Sequence, residues 1–446
     1  MTLCYPRCGT TLPPLPTPIM SNNPKGKNQW GNPKEYPSDK KLLEALRQCL
    51  FWDYSQEQKI MYLKRIFILE IGRTTLYTIE KRLGIPSVRK PGLSPDIVDA
   101  VAISFITKDK ARLNGPGAIK SMMQDELIFI ARDRLRQLMH AIAPEGFTLR
   151  EPGSKKKLLP RVALLSFGLF HEISADGHEK LNAQALRMGD ISLPIYAYRD
   201  KWSGFTLKLL LLPDSRLSGA ISHVYLDLVE EYGGVPIQLT TDKGSEIGWQ
   251  CAIQDSFRRL FAPDLDPDQY PTCVGLKSVH NTVIESLWGW LQRTTGMNIK
   301  QVILEGKEQG SFHPHCSYHA ELFYWVFVPV IQGELDHFRR YWNQHQVRSQ
   351  KDKLMPSGHI PAEVFEYPEN FDPDAERYLI KVPESATEEC RRHLSEEVGD
   401  RSSYLSWYSD DFGVQAQLAY EAIGSPEIAL GDAWAVFNRM SAALRE

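Results

Sequence analysis

The sequence predicts an α/β protein: a mixed-sheet core flanked by helices, preceded by an all-α region and followed by a helical, acidic region. Three observations predict it. Helical periodicity interrupted by glycine runs from Asp39 to Ile142, alternating strand-like segments begin at Glu172, and helical patterning returns at Asn281 and in the last stretch of the chain. Taken in order, residues 1–38 hold Pro13, Pro14, Pro16 and Pro18 followed by NNPKGKNQWGNPK, a density of breakers that predicts a disordered arm. Ser55 with Gln58 is a capping-box pattern, with Ile60, Leu63 and Phe67 following on one face. Gly72 ends that helix. A second begins near Arg73 with Leu76, Ile79 and Leu83 inward and Arg73, Thr74, Tyr77, Lys81 and Arg82 on its other face. Two short helices about a glycine turn, the second basic outside, form a helix-turn-helix-like pattern, which makes those five residues DNA-binding candidates. Any small helical bundle also has such turns.

A second helical block, Asp96 to Ile142, contains the turn Asn114-Gly115-Pro116-Gly117 and the basic stretch Arg132, Arg134, Arg136. The front thus holds a possible pair of small helical units. Gly153-Ser154-Lys155-Lys156-Lys157 reads as a solvated linker or as an import signal. Beyond it, Glu172–Asp176, Leu193–Tyr198, Phe205–Leu212 and Val235–Thr241 are strand candidates. The turn Lys201–Gly204 joins the second to the third, and a helix over Ile221–Tyr232 lies between the third and fourth, stopped by Gly233-Gly234. Three strands, a helix, a fourth strand and further helices are compatible with an RNase-H-like mixed sheet. The expected domains are therefore 1–38 (arm), 39–150 (helical front), 165–370 (core) and 371–446 (acidic, helical, with Trp407, Tyr408, Trp434 and Phe437 as core candidates).

At 446 residues, two or three domains are expected. Hydrophobic residues make up 42% and charged residues 24%, and mean hydropathy is -0.33, which excludes a disordered tail-like protein and a multi-span membrane protein. The longest apolar run, Leu322 to Ile331, is about half of the roughly 20 residues needed to cross a bilayer. The N-terminal stretch has no unbroken apolar core, so the expectation is a nuclear protein, cytoplasmic before import, and not a secreted one. Seven scattered cysteines suggest no disulfide framework or paired zinc ribbon, and a reducing compartment fits. The net charge of -3 is split unevenly: residues 1–165 carry 27 Lys+Arg against 15 Asp+Glu, and residues 166–446 carry 25 against 40. A basic front suggests contact with a polyanion, although a solvated basic face is also common.

Three carboxylates stand where a strand or helix would present them. Asp176 lies on the polar face of the first strand, Asp242 ends the fourth, and Glu285 lies on the helix from Asn281, four residues from Asn281 on the same face. The Lys243-Gly244-Ser245 that follows Asp242 leaves room for a ligand to approach the backbone. Converging carboxylates repel unless cations sit between them, so two Mg²⁺ or Mn²⁺ ions are the expected guests. A strand-end Asp also serves as a turn former, and a helical Glu as solvated surface.

The segments carrying these carboxylates resemble the integrase catalytic core. Ala175–Leu181 with Ile195–Ser203 resembles its opening, Thr241–Glu246 its second-Asp motif, Ser278–Trp288 the helix bearing its Glu, and Tyr341–His345 with Met355–Pro361 its post-core segment. The likeness spans roughly 170–365 and is closest to eukaryotic, transposon-derived proteins of the retroviral-integrase-like Asp-Asp-Glu recombinase and transposase group. It implies that Asp176, Asp242 and Glu285 hold two divalent metals and catalyse DNA integration or transposition by nicking and strand transfer, with DNA as partner, a homo-oligomer on it and no membrane. The retroviral His/Cys zinc module has only Cys4, Cys8 and His140 to stand for it, so the helix-turn-helix-like front takes its place. Two alternatives stand beside this: a domesticated, catalytically silent nucleic-acid-binding protein, and an RNase-H-like nuclease. The crowded His313, His315, Cys316 and His319 lack the two separated pairs of a zinc site, and Phe323, Tyr324, Trp325 and Phe327 read as a buried helix. No phosphate-cradling loop, nucleophile elbow or dinucleotide fingerprint is present.

Overall fold

The computed structural model describes residues 36–52, 54–88, 92–149, 166–276, 281–350 and 355–445. All but the last three residues of the expected arm, the Gly153–Lys157 linker and the start of the Glu motif, Ser278 to His280, lie outside them. The chain divides into two compact units, Met1–Ala102 with Met123–Leu135, and Ile103–Met122 with Arg136–Glu446.

In the first unit, Ser38 caps α1 (Asp39–Phe51). Ser55 and Gln58 form the reciprocal capping box that opens α2 (Gln56–Phe67). α2 stops at Ile68, which takes the left-handed conformation at φ 54°, and α3 (Arg73–Arg82) starts from Gly72. Leu42, Leu46, Leu63 and Leu76 are wholly buried, and Ile79 and Leu83 nearly so. On α2, Leu63 turns inward as its spacing predicts. Ile60 and Phe67 are only half-buried, and Tyr62 and the Lys59 stem take the remaining inward positions. Helices α4 (Pro95–Lys108), α5 (Pro116–Asp125) and α6 (Arg132–Ile142) contribute residues to both units.

The second unit is built on five strands: β1 (Glu172–His178), β2 (Ile195–Asp200), β3 (Thr206–Leu211), β4 (Gln238–Asp242) and β5 (Cys273–Leu276). They lie in the order β3-β2-β1-β4-β5, the first three antiparallel and the last two parallel to β1. This mixed sheet flanked by helices is an RNase-H-like α/β fold, as the strand and helix order predicts. β1 is central and its first four residues are buried, because both sheet faces are covered. One face, with Tyr196, Tyr198, Leu207 and Leu239, packs on α7 (Ser218–Tyr232) and α8 (Gly248–Phe261). The other, with Ile195, Ala197, Leu209 and Leu211, packs on α9 (Thr282–Leu291), α10 (Met297–Glu308) and α11 (His319–Gln344). A π-helical stretch, Gln292–Gly296, joins α9 to α10.

The acidic C-terminal region is helical as expected. Lys381 and Ile380 pair with Gly234 and Val235, and α12 (Glu384–Val398) lies against α7, where Arg391 bridges Asp227 and Glu230. α13 (Asp410–Ala422) and α14 (Ala433–Ala443) pack on α11. Trp434 and Phe437 are buried there, and Trp407 and Tyr408 are partly buried against the same core. Cys251 on α8 and Cys273 on β5 form a disulfide, Cα to Cα 5.7 Å. Sequence spacing does not reveal this pair, because the two cysteines meet only once α8 packs beside the edge strand. His319 is buried and accepts from the His313 backbone N–H at Nδ1 (3.0 Å), while its Nε2 meets Ser441 Oγ at 3.1 Å. Its environment is that of a core histidine.

Candidate active site

β1 and β4 run parallel and are paired from Glu172 beside Gln238 to Ser174 beside Thr240, so Asp176 and Asp242 each follow the paired stretch by two residues. Asp242 ends β4 and Asp176 lies two residues before the end of β1, on adjacent strands of the sheet. Asn281 then closes the gap. Its Nδ2 donates to the Ala175 carbonyl (3.3 Å) and to Asp242 Oδ1 (3.4 Å), so the residue that starts α9 is tied to both strands at once. One turn later on α9 comes Glu285, whose backbone N–H donates to the Asn281 carbonyl. Trp288 completes the arrangement: its Nε1–H donates to Asp176 Oδ2 at 2.7 Å. The indole is stacked on His178, with ring centroids 4.8 Å apart.

Burial governs the electrostatics at Asp176. Burial, followed by the negative charges of Asp242 and Glu285, outweighs the Trp288 and Gly177 hydrogen bonds and raises the Asp176 carboxyl to about 7. Burial pushes the neighbouring His178 down to about 4. Tyr196, buried behind Asp176, is held protonated by its burial and by Asp176, Glu246 and Asp242. Glu246 was not singled out from the sequence as a site residue. Its carboxylate folds back against Gly244, so the space expected beside that glycine is occupied by the carboxylate.

All-oxygen donors suit a hard cation such as Mg²⁺ or Mn²⁺, and the uncompensated charge on Asp176 is of the kind a divalent ion relieves. Among the described residues, no three His, Cys, Asp or Glu side chains are gathered closely enough to hold an ion as they stand. Glu285 lies on the exposed side of α9, and its negative charge acts on Asp176.

A second support was invisible in the sequence. Arg199 on β2 is buried and donates from Nη1 to the Val283 carbonyl (2.6 Å) and Ser286 Oγ (2.7 Å), and from Nε to the Gly204 carbonyl (3.0 Å). It thereby fixes the turn of α9 that carries Glu285. Replacing it by methionine removes three hydrogen bonds, at an expected cost of about 2 kcal/mol, while the Val283 carbonyl keeps its bond from Ser286 Oγ and the Gly204 carbonyl its bond from Trp342 Nε1. Urea denaturation of Arg199→Met checks this, and an unchanged midpoint would contradict it. The adjacent Asp200, also buried, accepts from Phe170 N–H, Ser203 N–H and Ser203 Oγ and shapes the loop to β3.

The DNA-binding candidates lie on α3 in the other unit. Arg73, Thr74, Tyr77, Lys81 and Arg82 are all exposed; Arg73 pairs with Glu57 and Arg82 with Asp39 (2.6 Å). No helix among the described residues is long and apolar enough to cross a membrane.

Residues 205–361 match the family model for the integrase core domain, a family associated with polynucleotidyl transfer on DNA and, as a rule, with divalent metals. The match contains Asp242 and Glu285. Asp176 precedes it, on the strand next to that of Asp242. No curated protein matches the chain. The segment that matches begins at the loop before β3, includes the helix bearing Glu285 and ends at the start of the short helix Pro361–Glu366, so it is over residues 205–361 that the chain carries an integrase core domain.

Proposed function

We propose that the protein is a metal-dependent DNA transferase of the Asp-Asp-Glu type, an integrase or transposase that nicks DNA and joins the resulting 3′ hydroxyl to a second duplex. One observation carries this reading: Asp176 and Asp242 lie on adjacent strands just beyond their paired stretch, and Asn281 ties both strands to the helix that carries Glu285. Two divalent ions held by Asp176, Asp242 and Glu285 would activate the attacking oxygen and stabilise the leaving one. The chain's own residues prepare that site. Trp288 orients Asp176, Asn281 orients Asp242, and Arg199 holds the Glu285 turn against the sheet. Strand transfer breaks one phosphodiester bond and forms another, so it needs no nucleotide cofactor, in keeping with a sequence that has no phosphate-cradling loop.

In this reading residues 39–150 bind duplex DNA through α3, residues 165–370 carry the chemistry, and the protein acts in the nucleus as a homo-oligomer that brings two DNA ends together. Purified protein with Mn²⁺ is expected to cut duplexes copied from the sequences that flank its gene, at terminal inverted repeats. Gel analysis of end-labelled duplexes checks this, and intact duplexes under all metal conditions would contradict it. A second reading, a DNA-binding protein that no longer cuts, is favoured by the Trp288 bond, because Asp176 already spends Oδ2 on the indole.

A further inference from the structure

The front of the chain contains the same backbone device twice. α2 ends at Ile68 and α5 is followed by Leu127, both in the left-handed region, at φ 54° and φ 59°. Bulky aliphatic residues rarely adopt that conformation, and a β-branched one least of all. In each case four residues follow and a helix then begins on an arginine, Arg73 in α3 and Arg132 in α6. The inward positions also correspond. Ile71 and Ile130 are buried just ahead of the helix, and Leu76 and Leu135 are wholly buried in its first turn. One position out of step, Lys59 with Leu63 on α2 match Ile119 with Met123 on α5. Such agreement in a rare conformation, in loop length and in burial marks an internal repeat of about 59 residues.

The repeat maps the outer face of α3 onto that of α6. Arg73 corresponds to Arg132, Tyr77 to Arg136 and Lys81 to His140, all exposed. Arg134, two positions from Arg132 and on another side of the helix, is neutralised by Asp99. Arg136 lies 6.0 Å from the centre of the Phe147 ring, on which His140 stacks.

We propose that α6 is a second DNA-contacting helix, so that the front grips two segments of duplex, with Arg132 and Arg136 meeting phosphates or base edges of the second. Charge complementarity selects the ligand: the exposed cations of α6 sit in the part of the chain whose balance is strongly basic. This inference rests on the reading of α3 as a duplex-binding helix.

The test uses the full chain and a random-sequence duplex library, with the selected duplexes analysed by hydroxyl-radical footprinting and by the salt dependence of binding. Wild type should protect two segments. Arg132→Ala with Arg136→Ala should lose one of them and lower the slope of log affinity against log salt by about 2, at ~0.9 per phosphate contact. Lys81→Ala with Arg82→Ala should lose the other. Arg132→Lys with Arg136→Lys keeps the charge and should keep most of the slope, which separates lost contacts from a folding defect. If the α6 pair to alanine leaves footprint and slope unchanged while the α3 pair loses binding, the second helix is refuted and the α3 reading stands. If wild type binds no duplex, the α3 reading falls first.

Discussion

Glu285→Gln is expected to abolish strand transfer while leaving the fold and DNA binding in place. Val283, Ile284, Leu287, Trp288 and Leu291 are the buried residues of α9, and Glu285 lies on its exposed side, so the substitution removes no packing. The amide is the same size as the carboxylate but carries no charge to offset a divalent ion. The loss should reach the background of the assay, a fall of about 10³-fold or more, since chemistry of this kind depends on electrostatic stabilisation of the reacting phosphate. Transfer of end-nicked duplex with Mg²⁺ or Mn²⁺ measures it. Activity equal to wild type would remove Glu285 from the site, and equal inertness of both proteins, with DNA binding intact, would favour the binding-protein reading.

Asp176→Asn is expected to stabilise the metal-free protein at neutral and alkaline pH. The Asp176 carboxyl is raised to about 7 in the folded chain, above its ordinary value near 3.8. Between those values the folded state holds a proton that the unfolded state has released, so stability falls as pH rises through that window and levels off above it. The full effect is about 4 kcal/mol by linkage. The asparagine variant lacks this fall, so the difference between the two proteins should grow from pH 4 to pH 7. Mn²⁺ added at pH 8 should recover stability in wild type and not in the variant. Urea denaturation in chelator at pH 5 and pH 8 provides the comparison, and parallel pH profiles would contradict it.

Much of this site was legible as strand ends and helix faces. Asp242 ends its strand, Asp176 lies on a strand that runs two residues further than its alternation suggests, and Glu285 follows Asn281 by one helical turn. What stayed hidden depends on distant parts of the chain. The Trp288–Asp176 bond spans 112 positions and the Arg199–Val283 bond 84, and no local pattern announces either. The edge strand Cys273–Leu276 escaped because four half-buried residues with a glycine among them give no alternation. The repeat of helical pairs was faintly visible. Its strongest sign, two aliphatic residues in the left-handed region, is a property of the backbone that side-chain spacing cannot display.

The central claim is that three carboxylates from two strands and a helix hold divalent ions. Calorimetric titration of the full chain with Mn²⁺ tests it most directly. The expected result is two ions per wild-type chain at about pH 7.5, with heat release cut to at most one weak site in Asp242→Asn and in Glu285→Gln. An unaltered titration in both variants, or no Mn²⁺ uptake by wild type, would contradict it.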